Sequence, residues 1–266
     1  MGLITFTDSL KQDDDNIGLM KTSPVVIRLK EGSKPCAVTS ARNIPISLQE
    51  AVEKELERLE RQGIIKHVTE PSDWCTPMVP VKKADGSVRI TVDYKALNMA
   101  IKREVFPIPT IEQLTSQIHG ATLFSKLDAA SGFFQLPLDE ESTKLTTFIT
   151  PLGRKAFLRL PMGISLAPEC FQRKMEELLH DLPGVISYMD DIVCFGDEKT
   201  HDIRLKAVLQ RINESGLRLN MKKCAFRKPM VQFLGMNISH DGLQVDQSKL
   251  CQPPHRPKSF GLCLEC

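Results

Sequence analysis

The sequence has no apolar stretch close to the roughly 20 residues that a membrane-spanning helix needs. Its N-terminus also lacks a basic segment followed by an apolar run, the pattern of a secretory signal. These absences predict an intracellular protein that is not secreted and has no membrane partner. We expect it in the cytoplasm, associated with a particle, or in the nucleus.

Cysteines spaced as metal ligands are also scarce. Of the eight cysteines, only Cys263 and Cys266 have the spacing of metal ligands, and no second pair lies near them. The other six are scattered through apolar or basic surroundings. Free thiols in a reducing compartment are therefore the simpler interpretation.

Net charge is small, at +2, so the total says little about partners. The distribution says more. Arg61–Arg103 contains eight Lys and Arg against four Asp and Glu, and Lys199–Lys228 contains nine against two. Such blocks suit a polyanion, and two solvated faces would give the same counts.

The first half of the chain predicts a helix and then a hairpin. Ser47 and Glu50 form a capping box before Leu48, Val52, Leu56 and Leu59 at helical spacing, and Gly63 ends the helix. Apolar residues then alternate with polar ones on both sides of Asp85-Gly86, which predicts a β-hairpin; they are Val79, Val81, Val88, Ile90 and Val92. A second capping box, Thr110 with Gln113, predicts a short helix that Gly120 closes.

The second half continues the mixture of strands and helices. We expect strands at 123–128, 185–189, 192–195 and 231–239, a hairpin over 146–160, and helices over 165–180 and 200–215. There is no regular βαβ repeat. The sequence therefore predicts an α+β fold.

Two adjacent carboxylates, Asp190 and Asp191, lie between the apolar runs Val185–Met189 and Ile192–Phe195. A buried strand cannot hide both, because burying an unpaired charge costs several kcal/mol. The pattern predicts a tight turn between two strands with both carboxylates at its tip. Asp128 ends another predicted strand. A plain solvated turn is the alternative interpretation of the Asp-Asp pair.

Carboxylates held this close repel each other, and a divalent cation relieves the repulsion. Three oxygen ligands at strand ends suit Mg²⁺, which keeps several waters and shares substrate phosphates. The pattern favours phosphoryl transfer with two metal ions. One would lower the pKa of the attacking hydroxyl, and the other would steady the leaving phosphate.

Several motifs resemble one enzyme family. The segment Tyr188-Met189-Asp190-Asp191 resembles the Tyr-x-Asp-Asp box of reverse transcriptases, and Phe124–Gln135 resembles their first acidic motif. Leu160–Gln172 resembles the loop and helix beside the nucleotide, and Val81–Asn98 resembles the fingers. Phe233-Leu234-Gly235 resembles the primer grip of gypsy-type retroelements.

These motifs follow one another in the family order between about Pro45 and Leu250. The chain is therefore similar to the reverse transcriptases of gypsy-type LTR retrotransposons. The resemblance implies an α+β right-hand polymerase fold with fingers and palm, whose thumb is absent or truncated. It divides the chain into fingers at 41–106 and 137–164 and palm at 107–136 and 165–240.

The ends of the chain depart from the family pattern. We expect a loosely ordered extension at 1–40, the start of the thumb connection at 241–250, and an unstructured, divergent tail at 251–266. Nothing in these residues resembles the RNase H, protease or integrase segments of the family.

By position, the resemblance implies that Asp128, Asp190 and Asp191 are catalytic and bind two Mg²⁺, or Mn²⁺ in their place, with the Ala129 carbonyl as a further ligand. It implies a nucleotide-binding set of Lys82, Lys83, Arg89, Phe133, Met162 and Gly163. It also implies a primer–template set of Tyr188, Met189, Phe233, Leu234 and Gly235.

Some of these positions have simpler alternatives. An aromatic ring at Phe133 would clash with a 2′-hydroxyl and so select dNTPs, but the residue could also be a core phenylalanine. Lys82 and Lys83 could be solvated strand charges. Met162 stands where gypsy-type elements have Phe and retroviral enzymes have Gln; because Met is apolar and flexible, we expect tolerance there.

The implied function is RNA- and DNA-templated DNA synthesis from dNTPs on a primed template, with a second reverse transcriptase subunit as a possible dimer partner. Two alternatives are a truncated, inactive relic that only binds nucleic acid and a non-enzymatic binding module. The presence of all three acidic residues favours retained chemistry, whereas truncation favours the relic.

Overall fold

The computed structural model describes residues 17–103, 106, 107, 113, 116–118 and 120–245. Its α-helices are α1 (Ile46–Arg61), α2 (Lys95–Ala100), α3 (Glu140–Leu145), α4 (Ala167–Leu179) and α5 (His201–Ser215). Its strands are β1 (Ile65–His67), β2 (Thr76–Lys82), β3 (Val88–Val92), β4 (Leu123–Asp128), β5 (Phe148–Thr150), β6 (Gly153–Phe157), β7 (Val185–Tyr188), β8 (Asp191–Gly196), β9 (Ala225–Lys228), β10 (Met230–Phe233), β11 (Met236–Ser239) and β12 (Gly242–Val245).

The strands form three sheets, with the orders β1-β6-β5-β2-β3, β7-β8-β4-β9 and β10-β11-β12. The helices pack mainly on the first two; α1 lies against β3, α4 against β7 and α5 against β8. The predicted α+β class is confirmed. The five-stranded sheet comes from residues 65–92 and 148–157, and the four-stranded sheet from 123–128 and 185–228. The exact division into fingers and palm stays a prediction.

The start of α1 differs from the prediction. Pro45 is the N-cap residue, and no side chain caps the helix, so the Ser47–Glu50 capping box is wrong. The fixed φ of proline, here −52°, prepares the chain for a helix that begins at Ile46. The end is as predicted, because Gly63 has a φ of +63° directly after the helix. Val52, Leu56 and Leu59 are buried on its inner face.

Both predicted hairpins are present. In the first, β2 pairs antiparallel with β3, and the chain turns at Asp85-Gly86. One detail differs from the prediction. Val81, one of the alternating apolar residues, is exposed, whereas Met78 of the same strand is buried. In the second, β5 pairs with β6 around Pro151-Leu152.

The predicted single strand over Val231–Ser239 is wrong. Leu234 and Gly235 both adopt left-handed backbone, with φ of +52° and +78°. The chain therefore reverses there, and Val231 pairs with Ile238 across a hairpin. Buried apolar side chains on both arms gave the appearance of one continuous alternation. Residues 242–245 continue the same sheet as β12, in the segment predicted to begin the thumb connection.

The prediction of loose order is wrong for residues 17–40. Met20, Val25 and Ile27 are buried in the main core. Backbone hydrogen bonds tie Met20 to Gln135 and Val25 to Pro137. Residues 1–16, the tail at 251–266 and Thr110, on which the second capping box depends, lie outside the described residues.

A buried arginine joins this N-terminal segment to the rest. The Arg159 guanidinium donates to the carbonyl oxygens of Ile17, Gly18, Gln62, Gly63 and Phe134, at 2.7–3.3 Å. A guanidinium has five N–H donors and no acceptor, so it suits such a set of carbonyls. The contact links the N-terminal segment, the end of α1 and the chain after β4.

No helix in the described part of the chain is long and apolar enough to span a membrane. The five cysteines that the structure describes, Cys36, Cys75, Cys170, Cys194 and Cys224, are free thiols.

Candidate active site

The turn between β7 and β8 carries two of the predicted carboxylates. Tyr188 and Asp191 pair in register at the ends of the two strands, and Met189 and Asp190 form the turn between them. Met189 has a φ of +50°, which a residue with a side chain rarely adopts. The tight turn that the sequence predicts is therefore present, but only Asp190 lies at its tip, because Asp191 is already the first residue of β8.

The third carboxylate lies beside the turn because β4 pairs with β8. Asp128 is directly opposite Asp191 in this antiparallel register. The Ala129 N–H donates to the Asp190 carbonyl at 2.8 Å, and the Asn220 N–H donates to the Asp128 carbonyl at 2.8 Å. Asp128 and the adjacent pair Asp190 and Asp191, which are distant from it in the sequence, thus meet at one end of β4 and β8.

Burial and the repulsion between carboxylates raise the pKa of Asp190 and Asp128. The pKa of Asp190 is raised to about 6, first by burial and then by the charges of Asp128 and Asp191. Burial also raises the pKa of Asp128, against the opposing effect of Lys223. Among the residues that the structure describes, no donor reaches the buried Oδ1 of Asp190.

Two lysines neutralise the other carboxylates. Lys126 Nζ lies 3.0 Å from Asp191 Oδ2, and Lys223 Nζ lies 3.6 Å from Asp128 Oδ2. Within the described ranges, no three Asp, Glu, His or Cys side chains already lie in an arrangement that could hold a metal ion. The donor set itself still fits a hard cation, because it consists of carboxylate oxygens and includes one buried oxygen without a partner.

Gly132 makes room for Asp190. A β-carbon at this position would overlap Asp190 Oδ1 and would lie 2.7 Å from Cζ of the buried Phe171. The neighbouring Phe133 packs edge-on against Phe171, with the ring centroids 5.6 Å apart.

A cleft of about 640 Å³ opens beside the carboxylates. Of the predicted residues, it is lined by Asp128, Ala129, Asp190, Arg89 and Met162. Its wall also includes basic residues that the motifs did not single out: Arg58, Arg218, Lys222 and Lys223. The only sequence signal for the last three was the basic block at 199–228.

The other predicted nucleotide-binding residues are not in this lining. Lys82 and Lys83 are exposed at the far end of β2 and in the turn that follows. Gly163 has a φ of +95°, and its carbonyl accepts from the Asn98 side chain at 2.8 Å. Asn98 also accepts from the Ser165 N–H at 2.8 Å, so it holds the loop that carries Met162.

The predicted primer–template residues occupy two places. Tyr188 and Met189 are part of the carboxylate hairpin itself. Phe233 is buried in a second core cluster with Phe124 and Val193, and Leu234 and Gly235 form the turn after it. The described structure does not bring these three into the cleft lining, and their role stays a prediction.

The sequence motifs did not indicate the structural role of Gln135, which is fully buried and joins two backbone segments beside the cleft. Its Nε2 donates to the carbonyls of Ala130 at 2.7 Å and Arg218 at 3.0 Å, and its Oε1 accepts from the Arg218 N–H at 2.7 Å. It therefore fixes the segment before Lys223 to the segment after Asp128.

Comparison with known proteins identifies the class of this fold. A foamy viral protease–reverse transcriptase, solved in complex with dsDNA, superimposes with a TM-score of 0.80 over 92% of this chain and 51% of that one, at 25% identity. The fold is thus that of the fingers and palm of a right-hand polymerase.

The sequence comparisons are more specific. The reverse transcriptase (RNA-dependent DNA polymerase) family matches residues 81–238, and the chain belongs to this family. It is 32% identical to the retrovirus-related Pol polyprotein from transposon opus of Drosophila melanogaster, over 77% of this chain and 21% of that protein. It is 34% identical to the transposon Tf2-3 polyprotein of Schizosaccharomyces pombe, over 79% and 16%. The chain spans about a fifth of the length of the curated relatives it matches.

Proposed function

We propose that this chain catalyses templated DNA synthesis, in which a primer 3′-hydroxyl attacks the α-phosphate of a dNTP and pyrophosphate leaves. The observation that carries the proposal is the register of Asp128 with Asp191, which brings both beside the unpartnered Asp190 oxygen at the edge of a cation-lined cleft. Family membership supports the same reaction.

Asp128, Asp190 and Asp191 would hold two Mg²⁺, with the Ala129 carbonyl as a further ligand. Bound there, the ions would lower the pKa of the attacking hydroxyl and steady the leaving phosphate. Lys126 and Lys223 balance the same carboxylates. The Lys223 ammonium opposes the effect of burial on the pKa of Asp128 and so favours the ionised form of that carboxylate.

The cleft would receive the dNTP. Arg89 lies in its lining and offers a planar set of donors to phosphate oxygens. Arg218 and Lys222 add positive charge to the same cleft. Met162 lies on a loop that Asn98 fixes, and we propose that it faces the base or sugar.

The template and primer would lie along the basic surface without base-specific contacts. The foamy viral relative was solved with dsDNA, which supports a duplex as the partner. The salt dependence of binding would measure how many phosphates the chain contacts.

Primer extension tests the proposal. The chain and its Asp190→Asn variant are compared on poly(rA)/oligo(dT) with Mg²⁺, and Asp241→Asn, an exposed aspartate elsewhere, is the control. Incorporation by the wild type and the control, absent in Asp190→Asn, is the expected result. Template binding without incorporation by any of the three would contradict the proposal and favour a nucleic-acid-binding module.

A further inference from the structure

Both polar atoms of the Gln172 side-chain amide form hydrogen bonds with the carboxylate hairpin, and the amide nitrogen also contacts a residue of its own helix. It lies on the buried face of α4 and has no exposed surface. Its Oε1 accepts from the Met189 N–H at 2.8 Å. Its Nε2 donates to the Ser187 carbonyl at 3.1 Å and to Glu176 Oε1 at 3.1 Å.

These contacts bracket the point where the hairpin turns. Met189 has left-handed backbone, a conformation that persists in a residue with a side chain only when its surroundings hold it there. The strand ladder ends at the pair Tyr188 and Asp191. The Met189 N–H therefore needs a partner outside the ladder, and Gln172 supplies it.

The turn is held from the other side as well. The Ala129 N–H donates to the Asp190 carbonyl at 2.8 Å. Gln172 thus fixes the residue before Asp190, and the chain after Asp128 fixes Asp190 itself. With both contacts in place, the position of the turn relative to Asp128 is determined.

We infer that Gln172 is a positioning residue, which sets the spacing between the Asp190 turn and Asp128 from outside the cleft. The inference rests on the proposed function, because the spacing matters only if the carboxylates bind metal together. The uncharged amide offers both an acceptor for Met189 and a donor for Ser187, which the apolar methionine of similar length cannot. Residues around a metal site that orient its ligands are expected to affect metal affinity without touching the metal.

A purely structural glutamine would behave differently, and the chain offers a matched control. Thr146 is also fully buried, and its Oγ1 donates to the Thr143 carbonyl at 2.8 Å and accepts from the Phe157 N–H at 3.0 Å. It lies beside the five-stranded sheet, away from the carboxylates. Thr146→Val removes a comparable pair of buried hydrogen bonds while keeping the shape.

The experiment compares the full chain with Gln172→Met, Gln172→Asn and Thr146→Val. The melting temperature of each is measured against MgCl₂ concentration, and single-turnover extension is measured at saturating Mg²⁺. Gln172→Met is expected to raise the Mg²⁺ midpoint by about tenfold or more and to slow extension by a similar factor. Thr146→Val should lower the melting temperature and leave the midpoint unchanged. Gln172→Asn keeps the amide on a shorter stem, so it should show the same defect even if Gln172→Met does not fold.

Midpoints within about twofold of wild type in the folded Gln172 variants would overturn the inference and leave the proposed function intact, since the wild type would still respond to Mg²⁺. A wild type without any response to Mg²⁺ would overturn the proposed function, and this inference with it.

Discussion

Gly132 and Asp190 are so close that only a residue without a side chain fits beside the carboxylate. Gly132→Ala should push Asp190 or Phe171 aside. We expect a loss of about 1–3 kcal/mol in the free energy of unfolding and a fall in extension rate of at least about tenfold, because Asp190 would be displaced from its partners.

Gly86→Ala is the control for this substitution. Gly86 has a φ of +85° at an open turn, so alanine there strains the backbone without touching the site. It should lower stability and leave the extension rate nearly unchanged. Equal rates for the two variants would contradict the steric explanation.

The charge on Asp190 should destabilise the protein when no divalent cation is present. Its pKa in the folded chain is about 6, against an ordinary value of 3.8, so ionisation opposes folding. The penalty is absent below pH 3.8, grows as pH rises towards 6, and is complete above that. With EDTA at pH 7.5, Asp190→Asn should therefore be more stable by roughly 1–2 kcal/mol, after allowance for partial exposure. The advantage should vanish near pH 4. Urea unfolding at both pH values measures it, and a pH-independent difference would disprove it.

Lys223 should compete with the metal. Its ammonium lies 3.6 Å from Asp128 and lowers the pKa of both Asp128 and Asp190. In Lys223→Gln, a divalent cation no longer displaces a positive charge, so at pH 8 we expect the Mg²⁺ midpoint of thermal stabilisation to fall by about threefold. Lys199→Gln, in an exposed loop, is the control with the same change in charge. A weaker response to Mg²⁺ than wild type would show that Lys223 supports the site in another way.

Arg89 and Lys82 should differ in their effect on nucleotide binding. Arg89 lines the cleft of the carboxylates, whereas Lys82 does not. Losing a charge-assisted contact with phosphate should raise the KM for dTTP about tenfold or more in Arg89→Gln. Lys82→Gln should change it by less than about threefold, because only screened, long-range attraction is lost. Steady-state extension at varied dTTP measures both KM values. A larger increase for Lys82→Gln than for Arg89→Gln would show that the end of the β2–β3 hairpin binds the triphosphate.

Two helix starts should respond differently to alanine. Asp139 caps α3, since its carboxylate accepts from the Ser142 N–H at 3.0 Å. Asp139→Ala should cost about 1 kcal/mol of stability. Ser47→Ala should change stability by no more than about 0.5 kcal/mol, because Ser47 is exposed and caps nothing. Chemical denaturation of both variants distinguishes these outcomes.

The sequence predicted the hairpin that carries Asp190 well because local signals agree there. Apolar runs on both sides of Asp190 and Asp191 leave a turn as the only place for two carboxylates. The signals conflict elsewhere. Ser47 has the pattern of a cap, but Pro45 starts the helix earlier. Val231 and Ile238 look like one strand because both arms of a hairpin bury apolar residues on the same core.

Contacts between distant residues could not be predicted at all. Nothing near Lys223 in the sequence indicates that it pairs with Asp128, 95 positions earlier. Gln172 was noticed only as part of a family motif, because a helix pattern does not tell which buried polar side chain will meet a backbone turn. Such pairings arise from the packing of α4 and the 217–223 segment against the sheet.

The five carbonyls that accept from Arg159 limit where a shortened fragment of this chain can begin. A fragment that starts at Pro45, where the resemblance begins, would remove the acceptors of Ile17 and Gly18 and leave part of a buried guanidinium without partners. Such a fragment should express poorly and aggregate, even though it retains every motif of the family. A domain boundary placed where the family resemblance begins would therefore cut through the core.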